Sequence, residues 1–195
     1  MAQIIRYYEY PHRGFGQKGY NHPAYGHLEV DFDTTNYDYN LMPLHISWRS
    51  SAAEQDMVSR LCSHCGIAVN MTYEYADHPE GSGAHPNKVV EALLHFGYTG
   101  ATFYQRNTCG DSLWIAMIKE EIDNRRPIEY AGFSNSGGHA FVLDGYNNRD
   151  DNLCNYINLT RVAQEDSLNK GTIAQHLRKG IRAKHIQTHT YAPDQ

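Results

Sequence analysis

Helix-like and strand-like patterns follow one another along this chain, and their order constrains the fold more than any other feature. Apolar residues recur at helical spacing in three segments, 51–63, 87–96 and 111–126. Two strand patterns come after them, at 127–133 and 139–146, joined by a short loop that ends in two glycines. Helices that precede strands in this way are typical of an α+β fold.

Two shorter strand patterns lie between the predicted helices. Residues 67–73 alternate like a strand, and residues 101–105 form a second short strand pattern. Gly66 is expected to end the helix that precedes the first of them.

The chain opens with a helix pattern that lacks an N-terminal capping residue. Ala2, Ile5 and Tyr8 share one helical face, and Pro11 stops the helix. No Ser, Thr, Asp or Asn precedes that face to cap it. We therefore expect a domain truncated at its N-terminus.

Composition excludes several classes of protein. The 195 residues carry a net charge of −5 and are 41% hydrophobic, which provides the core of about one globular domain. The mild acidity argues against nucleic acid as a partner. No apolar run of about 18 residues occurs, so we expect no membrane-spanning helix. The first eleven residues also lack the regions of a signal peptide.

Cysteine usage indicates neither a disulfide framework nor a metal site. The four cysteines are Cys62, Cys65, Cys109 and Cys154. The first two form a C-x-x-C pair, but a zinc site needs a second ligand pair at similar spacing, and none follows. The pair is better interpreted as two cysteines one helical turn apart, one of them facing a core. We predict no metal and no organic cofactor, with a zinc protein as an alternative.

A histidine carries the clearest chemical signal in the chain. His139 opens an apolar strand directly after Gly137 and Gly138. Glycines remove side-chain bulk and let another chain approach the backbone closely. An imidazole titrates near neutral pH and, held by a strand, suits general acid–base catalysis. The alternative is a histidine at a strand end that only bonds a neighbour.

Residues 1–146 contain a series of distinctive motifs. They are M-A-Q-I at 1–4, Y-P-x-x-G at 10–14, Y-G-H-L-E-V-D-F at 25–32, Y-D-Y-N-L-M-P at 37–43, C-G-I-A-V-N-M-T-Y at 65–73, S-G-A at 82–84 and G-H-A-F-V at 138–142. In this order the motifs resemble the streptopain family of secreted, papain-like cysteine peptidases. The resemblance implies a papain-like α+β fold and cleavage of peptide bonds, in peptide or protein substrates, through an acyl-thioenzyme.

The resemblance also implies roles for single residues. His139 is the catalytic histidine, which keeps the nucleophilic thiol ionised and later protonates the leaving amine. Asn155 falls at a distance along the chain compatible with the residue that orients this histidine. Gly138 would offer its backbone to the substrate, and Ser82 or Gly83 would contact the substrate main chain.

Three departures from the family pattern bear on activity. The family's nucleophile sits a few residues upstream of the segment that matches Met1, and none of the four cysteines occupies that place. The oxyanion donor further upstream is missing as well. After Asn155 the chain continues with Tyr156 and Ile157, where the family has N-W-G-W-G. We therefore assign no nucleophile within these residues.

The C-terminal part differs in composition from the rest. The net charge is −7 for residues 1–146 and +2 for residues 147–195, and large apolar residues become few. We predict a papain-like peptidase domain at 1–146 that lacks its nucleophile segment. The remainder, 147–195, is predicted to be a divergent tail that adds no strand to the sheet.

The predicted function is that of a cysteine endopeptidase, with these residues inactive by themselves because the nucleophile lies upstream of Met1. The alternative is a non-catalytic pseudo-peptidase or a peptide-binding module. The resemblance implies that the full-length protein is secreted and made with a propeptide. Neither nucleic acid nor a membrane is expected as a partner.

Overall fold

The structure is a computed structural model of the chain, and it describes residues 1–75, 78, 81–134, 137–146 and 187–191. The chain divides into two compact units, Met1–Thr99 and Gly100–Gln195. Helices and a hairpin build the first unit, and a helix with a sheet builds the second. The domain boundary proposed after residue 146 stays a prediction.

The first unit contains helices α1 to α3, a short 3-10 helix and an antiparallel hairpin of β1 and β2. The predicted helices are present, whereas the hairpin was not predicted from the sequence. The elements are α1 Ala2–Tyr8, β1 Gln17–His22, β2 Gly26–Asp31, the 3-10 helix Tyr39–Leu41, α2 Ala52–Ala68 and α3 Lys88–Leu94.

Helix α2 is the central support of this unit. It begins with a capping box, in which the Ser51 hydroxyl accepts from the Glu54 backbone N–H and the Glu54 carboxylate accepts from the Ser51 N–H. Met57, Leu61 and Cys65 recur at a spacing of four residues and are all buried. That spacing directs one face of α2 into the core of the unit.

The prediction of a strand at 67–73 is wrong. Helix α2 continues past Gly66 to Ala68, and Asn70 then turns the chain with a φ of 53°. Only Thr72 pairs in strand fashion, through an isolated bridge to Gly83. The helix continues beyond Gly66 because Ala68, three residues after Cys65, lies on the same helical face and is buried in the core.

The second unit packs helix α4 on a sheet. Trp114 and Ile118 from α4 form a buried cluster with Ile128 and Leu143 from the sheet. The predicted strands at 101–105, 127–133 and 139–146 and the predicted helix at 111–126 are all found, with small shifts at their ends. The elements are β3 Thr102–Gln105, the 3-10 helix Arg106–Thr108, α4 Asp111–Asp123, β4 Ile128–Ser134, β5 Gly137–Leu143 and β6 Gln187–Tyr191.

The prediction that the tail adds no strand is wrong for β6. The sheet has the order β3-β6-β4-β5, in which β6 pairs in parallel with β3 and β4, and β4 pairs antiparallel with β5. The sequence of β6, Q-T-H-T-Y, is polar but contains two β-branched residues and an aromatic residue, which favour strands. Because β6 lacks large apolar residues, its sequence did not predict a strand.

Within the described ranges, no helix is both long enough and apolar enough to span a bilayer.

Candidate active site

His139 lies in the second unit as the third residue of β5. Its backbone pairs with Gly132 of β4, and Gly138 pairs with Phe133. His139 and Gly138 are both exposed. The structure therefore presents the predicted histidine and its neighbouring glycine side by side on the surface of one strand.

The neighbours of the His139 ring leave it accessible. Its ring is nearly parallel to that of Phe141, with 6.2 Å between the centroids and 19° between the planes. These two residues alternate with Ala140, so they point to the same face of the sheet. Across the strand pair, Gly132 has no side chain, and a Cβ built there meets nothing within 4 Å. A base at this position can reach a reacting group from the solvent side.

Ser82 and Gly83 lie in the first unit, in a loop that pairs with the segment after α2. The Gly83 carbonyl accepts from the Thr72 N–H at 2.8 Å and from the Thr72 hydroxyl at 2.9 Å. The Gly83 N–H donates back to the Thr72 carbonyl at 3.1 Å. These bonds fix the backbone of Gly83 and occupy both of its polar groups.

Ser82 is held through its side chain instead. Its hydroxyl accepts from the Glu74 N–H at 3.0 Å and lies 3.4 Å from the Glu74 carbonyl, to which it donates. Within the described residues the Ser82 backbone forms no hydrogen bond, and the residue is exposed. An extended peptide can therefore pair with the main chain of Ser82, whereas Gly83 offers only close approach.

Sequence reasoning missed the residues that hold this loop. Thr72 and Glu74 supply its partners, and both fall in or beside the segment predicted as a strand. Two residues of β1 hold that segment in turn: the Tyr20 hydroxyl donates to the Met71 carbonyl, and His22 Nε2 lies 2.9 Å from the Tyr73 nitrogen. No local pattern could have shown these contacts, because the partners are 51 positions apart.

None of the described cysteines has the surroundings of an activated nucleophile. Cys65 is buried in the core of the first unit. Cys62 is exposed on α2, yet loss of water around its sulfur raises the pKa of the thiol, which disfavours the thiolate. Cys109 is half-buried beside the Arg106 carbonyl. Cys154 lies outside the described residues.

No metal centre forms among the residues that the structure describes. Groups of three or more His, Cys, Asp or Glu side chains suited to an ion are absent there. His64, between the two cysteines of the C-x-x-C pair, instead has its Nδ1 2.9 Å from the Tyr37 hydroxyl. The contact gives His64 a structural partner in the core. Asn155 lies outside the described residues, so its role stays a prediction.

Comparison with known proteins shows which family the chain belongs to. The model of the Peptidase C10 family matches residues 1–167. The chain belongs to that family. It is 32% identical to streptopain of Streptococcus pyogenes over 158 residues, which are 76% of this chain and 39% of streptopain. It is 35% identical to the thiol protease/hemagglutinin PrtT of Porphyromonas gingivalis over 151 residues, 75% of this chain and 17% of PrtT.

A solved structure of the interpain A cysteine protease of Prevotella intermedia is also similar. It matches with a TM-score of 0.69 and 35% identity, covering 75% of this chain and 63% of that one. The predicted papain-like α+β fold and the resemblance to the streptopain family are thus confirmed. The chain spans less than two fifths of the length of streptopain.

Proposed function

We propose that these residues are the histidine-bearing and substrate-binding part of a cysteine endopeptidase. The observation that carries the proposal is His139, exposed on β5 directly after a glycine pair, in a chain of the Peptidase C10 family. In this chemistry a thiolate attacks the peptide carbonyl, and the histidine gives a proton to the leaving amine. Water then hydrolyses the thioester, with the same imidazole acting as base.

The other site residues divide between positioning and binding. Asn155 is proposed to accept from the His139 ring and hold its orientation. Gly138 leaves room for the substrate beside the histidine. Ser82 is proposed to bind the substrate main chain through its backbone groups, which no described residue occupies. Gly83, whose backbone is already bonded to Thr72, would act by close approach.

The nucleophile is proposed to come from outside these residues. The family pattern places it a few residues before Met1, and neither buried Cys65 nor Cys62, whose thiol pKa is raised, fits the task. We therefore propose that the 195 residues bind peptides but do not cleave them by themselves. The parent protein is proposed to act on peptide or protein substrates, to be secreted and to be made with a propeptide.

The rival function is a pseudo-peptidase that binds peptides without ever cleaving them. The cysteines within the described residues, none of which is suited to attack, also fit this rival function. The genomic codons upstream of Met1 separate the two functions. An in-frame cysteine before a helix that continues into α1 supports the peptidase, and a stop codon directly before Met1 supports the rival.

The experiment on the 195-residue chain combines a cleavage assay with a binding assay. We expect no hydrolysis of casein and no cysteine labelled by an epoxide inhibitor of thiol proteases, because catalysis without the nucleophile falls to a small residual. In amide NMR spectra, a casein peptide is expected to shift the signals of Ser82 and Gly83. Turnover together with labelling of any of the four cysteines would overturn the assignment, as would binding that leaves both signals unmoved.

A further inference from the structure

His22 is a buried polar residue to which the proposed chemistry gives no role. It ends β1 and is 5% exposed. The ring of Tyr25 covers it, with centroids 4.9 Å apart. A buried imidazole needs hydrogen-bond partners, so its contacts indicate what holds it in place.

Both ring nitrogens of His22 face backbone N–H donors. Nδ1 lies 3.1 Å from the Ala24 nitrogen and 3.3 Å from the Tyr25 nitrogen, within its own turn. Nε2 lies 2.9 Å from the Tyr73 nitrogen, across from the segment that follows α2. A neutral imidazole has only one bare nitrogen, so it can accept from one side only.

The distances decide which side accepts. The contact at 2.9 Å is at the best length for an N–H donor, and two opposed N–H groups at that distance would repel strongly. The two contacts within the turn are longer, at 3.1 Å and 3.3 Å. Ala24 and Tyr25 are exposed, so their N–H groups can bond water instead. The geometry therefore assigns the bare nitrogen to Nε2 and the proton to Nδ1.

We propose that His22 is a positioning residue for the substrate-binding loop at Ser82 and Gly83, an inference that rests on the function proposed for those two residues. Tyr73, which it holds, lies between the two residues that hold the loop: Thr72 bonds Gly83, and Glu74 bonds Ser82. The His22 ring thus fastens the middle of the segment that carries both anchors.

Tyr20 holds the same segment from the same face of β1 as His22. Residues 20 and 22 of a strand point the same way, and the Tyr20 hydroxyl donates to the Met71 carbonyl. The hairpin therefore holds the segment through two hydrogen bonds, in one of which Tyr20 donates and in the other of which His22 accepts. Tyr20→Phe removes the bond to Met71 and leaves the bond from Tyr73 to His22, so it is a matched variant for the substitutions at His22.

The first test reads the tautomer of His22 in the unmodified chain. The ¹⁵N chemical shifts of the ring distinguish a bare nitrogen from one that carries hydrogen. We expect the signal of a bare nitrogen at Nε2 and of an N–H at Nδ1. Hydrogen on Nε2 would overturn the proposal, because that nitrogen could then not accept from Tyr73.

The second test uses two substitutions that each keep one acceptor. In His22→Gln the amide oxygen can take the place of Nε2, whereas in His22→Asn it can only take the place of Nδ1. Loss of one buried hydrogen bond corresponds to about tenfold faster amide exchange. In His22→Asn we expect this acceleration at the amides of Tyr73 and Glu74. In His22→Gln we expect the same two amides to exchange within about twofold of their original rates. Equal rates in the two variants would refute a role for Nε2.

A binding measurement connects the anchor to the loop. With a fluorescein-labelled casein peptide, we expect the Kd to rise about threefold or more in His22→Asn and to be restored in His22→Gln, because fewer molecules hold the loop ready. If the original chain does not bind this peptide, the proposed function of the loop fails, while the exchange rates and ring shifts still decide the role of His22. An unchanged Kd in a variant whose loop has opened would contradict the proposed coupling.

Discussion

The ring of Tyr73 occupies the space beside α2 that a β-carbon at Gly66 would fill. A Cβ built on Gly66 would overlap the Tyr73 hydroxyl and lie 2.9 Å from the ring carbon that bears it. The Tyr73 hydroxyl donates to the Ser63 carbonyl at 3.3 Å, one turn earlier in the same helix. Gly66 thus allows the segment that holds the proposed substrate loop to approach α2 closely.

Gly66→Ala is expected to destabilise the first unit and to open residues 71–74. Overpacking costs about 1–3 kcal/mol, and it outweighs the gain of about 1 kcal/mol from alanine inside a helix. Urea unfolding and amide exchange at Tyr73 measure both effects.

Gly83→Ala is the control for that change, since a Cβ there meets nothing within 4 Å. Its free energy of unfolding is expected to stay close to that of the original chain. If Gly66→Ala is as stable as this control and its Tyr73 amide exchanges no faster, the close approach is not what holds the segment.

His64 is expected to make the first unit less stable in mild acid. Burial, together with the positive charge of Arg60, lowers the pKa of His64 in the folded chain. Below a pH of about 6.5, His64 binds a proton in the unfolded chain but not yet in the folded chain. The contribution of neutral His64 to the free energy of unfolding is therefore complete above that pH and is lost as the pH falls through the folded pKa.

The free energy of unfolding between pH 8 and pH 5 tests this dependence. We expect His64→Gln to reduce its slope against pH, because the substituted residue does not titrate. His27→Gln is the control, since His27 is exposed on β2. Parallel slopes for the original chain and His64→Gln would show that His64 does not carry the effect.

Two buried tyrosines are expected to hold the turn after α1. The Tyr98 hydroxyl donates to the Tyr10 carbonyl at 2.6 Å, and the Tyr39 hydroxyl donates to the Pro11 carbonyl at 2.8 Å. Tyr39→Phe leaves the carbonyl of buried Pro11 unsatisfied, at a cost of about 1–3 kcal/mol, and Tyr98→Phe removes a hydrogen bond worth about 0.5–1.5 kcal/mol. Thermal or urea unfolding measures the loss, and Tyr25→Phe, at an exposed position, should change little. A Tyr98→Phe variant as stable as this control would contradict the assignment.

Strand β6 is expected to hold the sheet of the second unit together. Its backbone lies between β3 and β4, with Thr188 opposite Phe103 on one side and Glu129 on the other. A chain ending at residue 186 leaves both neighbours with unpaired edges, which favour aggregation. We expect faster amide exchange in β4 and self-association in light scattering. A chain ending at residue 191 is the control, and equal behaviour of the two would exclude this role for β6.

The sequence predicted elements whose evidence is local. Helix α2 has a capping box and a regular apolar spacing, and β4 and β5 are apolar runs joined by a short loop. The hairpin of β1 and β2 was missed because its exposed positions leave no clean apolar alternation, and only His22 of β1 is fully buried. Strand β6 was missed because its partners β3 and β4 are distant in sequence and its own residues are polar.

The candidate site likewise contains some residues that local sequence motifs predict and others that only the folded chain reveals. His139 is recognisable because a glycine pair and an apolar strand surround it, and Ser82 because of the motif around it. The residues that hold Ser82 and Gly83 in place belong to contacts between distant segments. His22 is 51 positions from Tyr73, so only the folded chain shows that they meet.

The most direct test of the peptidase function is hydrolysis of casein by the chain extended upstream in its own reading frame. We expect an extension that includes the cysteine of the family pattern to restore cleavage and labelling by an epoxide inhibitor. His139→Ala in that extended chain should abolish cleavage, whereas His27→Ala, at an exposed histidine on β2, should retain it. An extended chain that carries the cysteine and cleaves casein equally well without His139 would contradict the account.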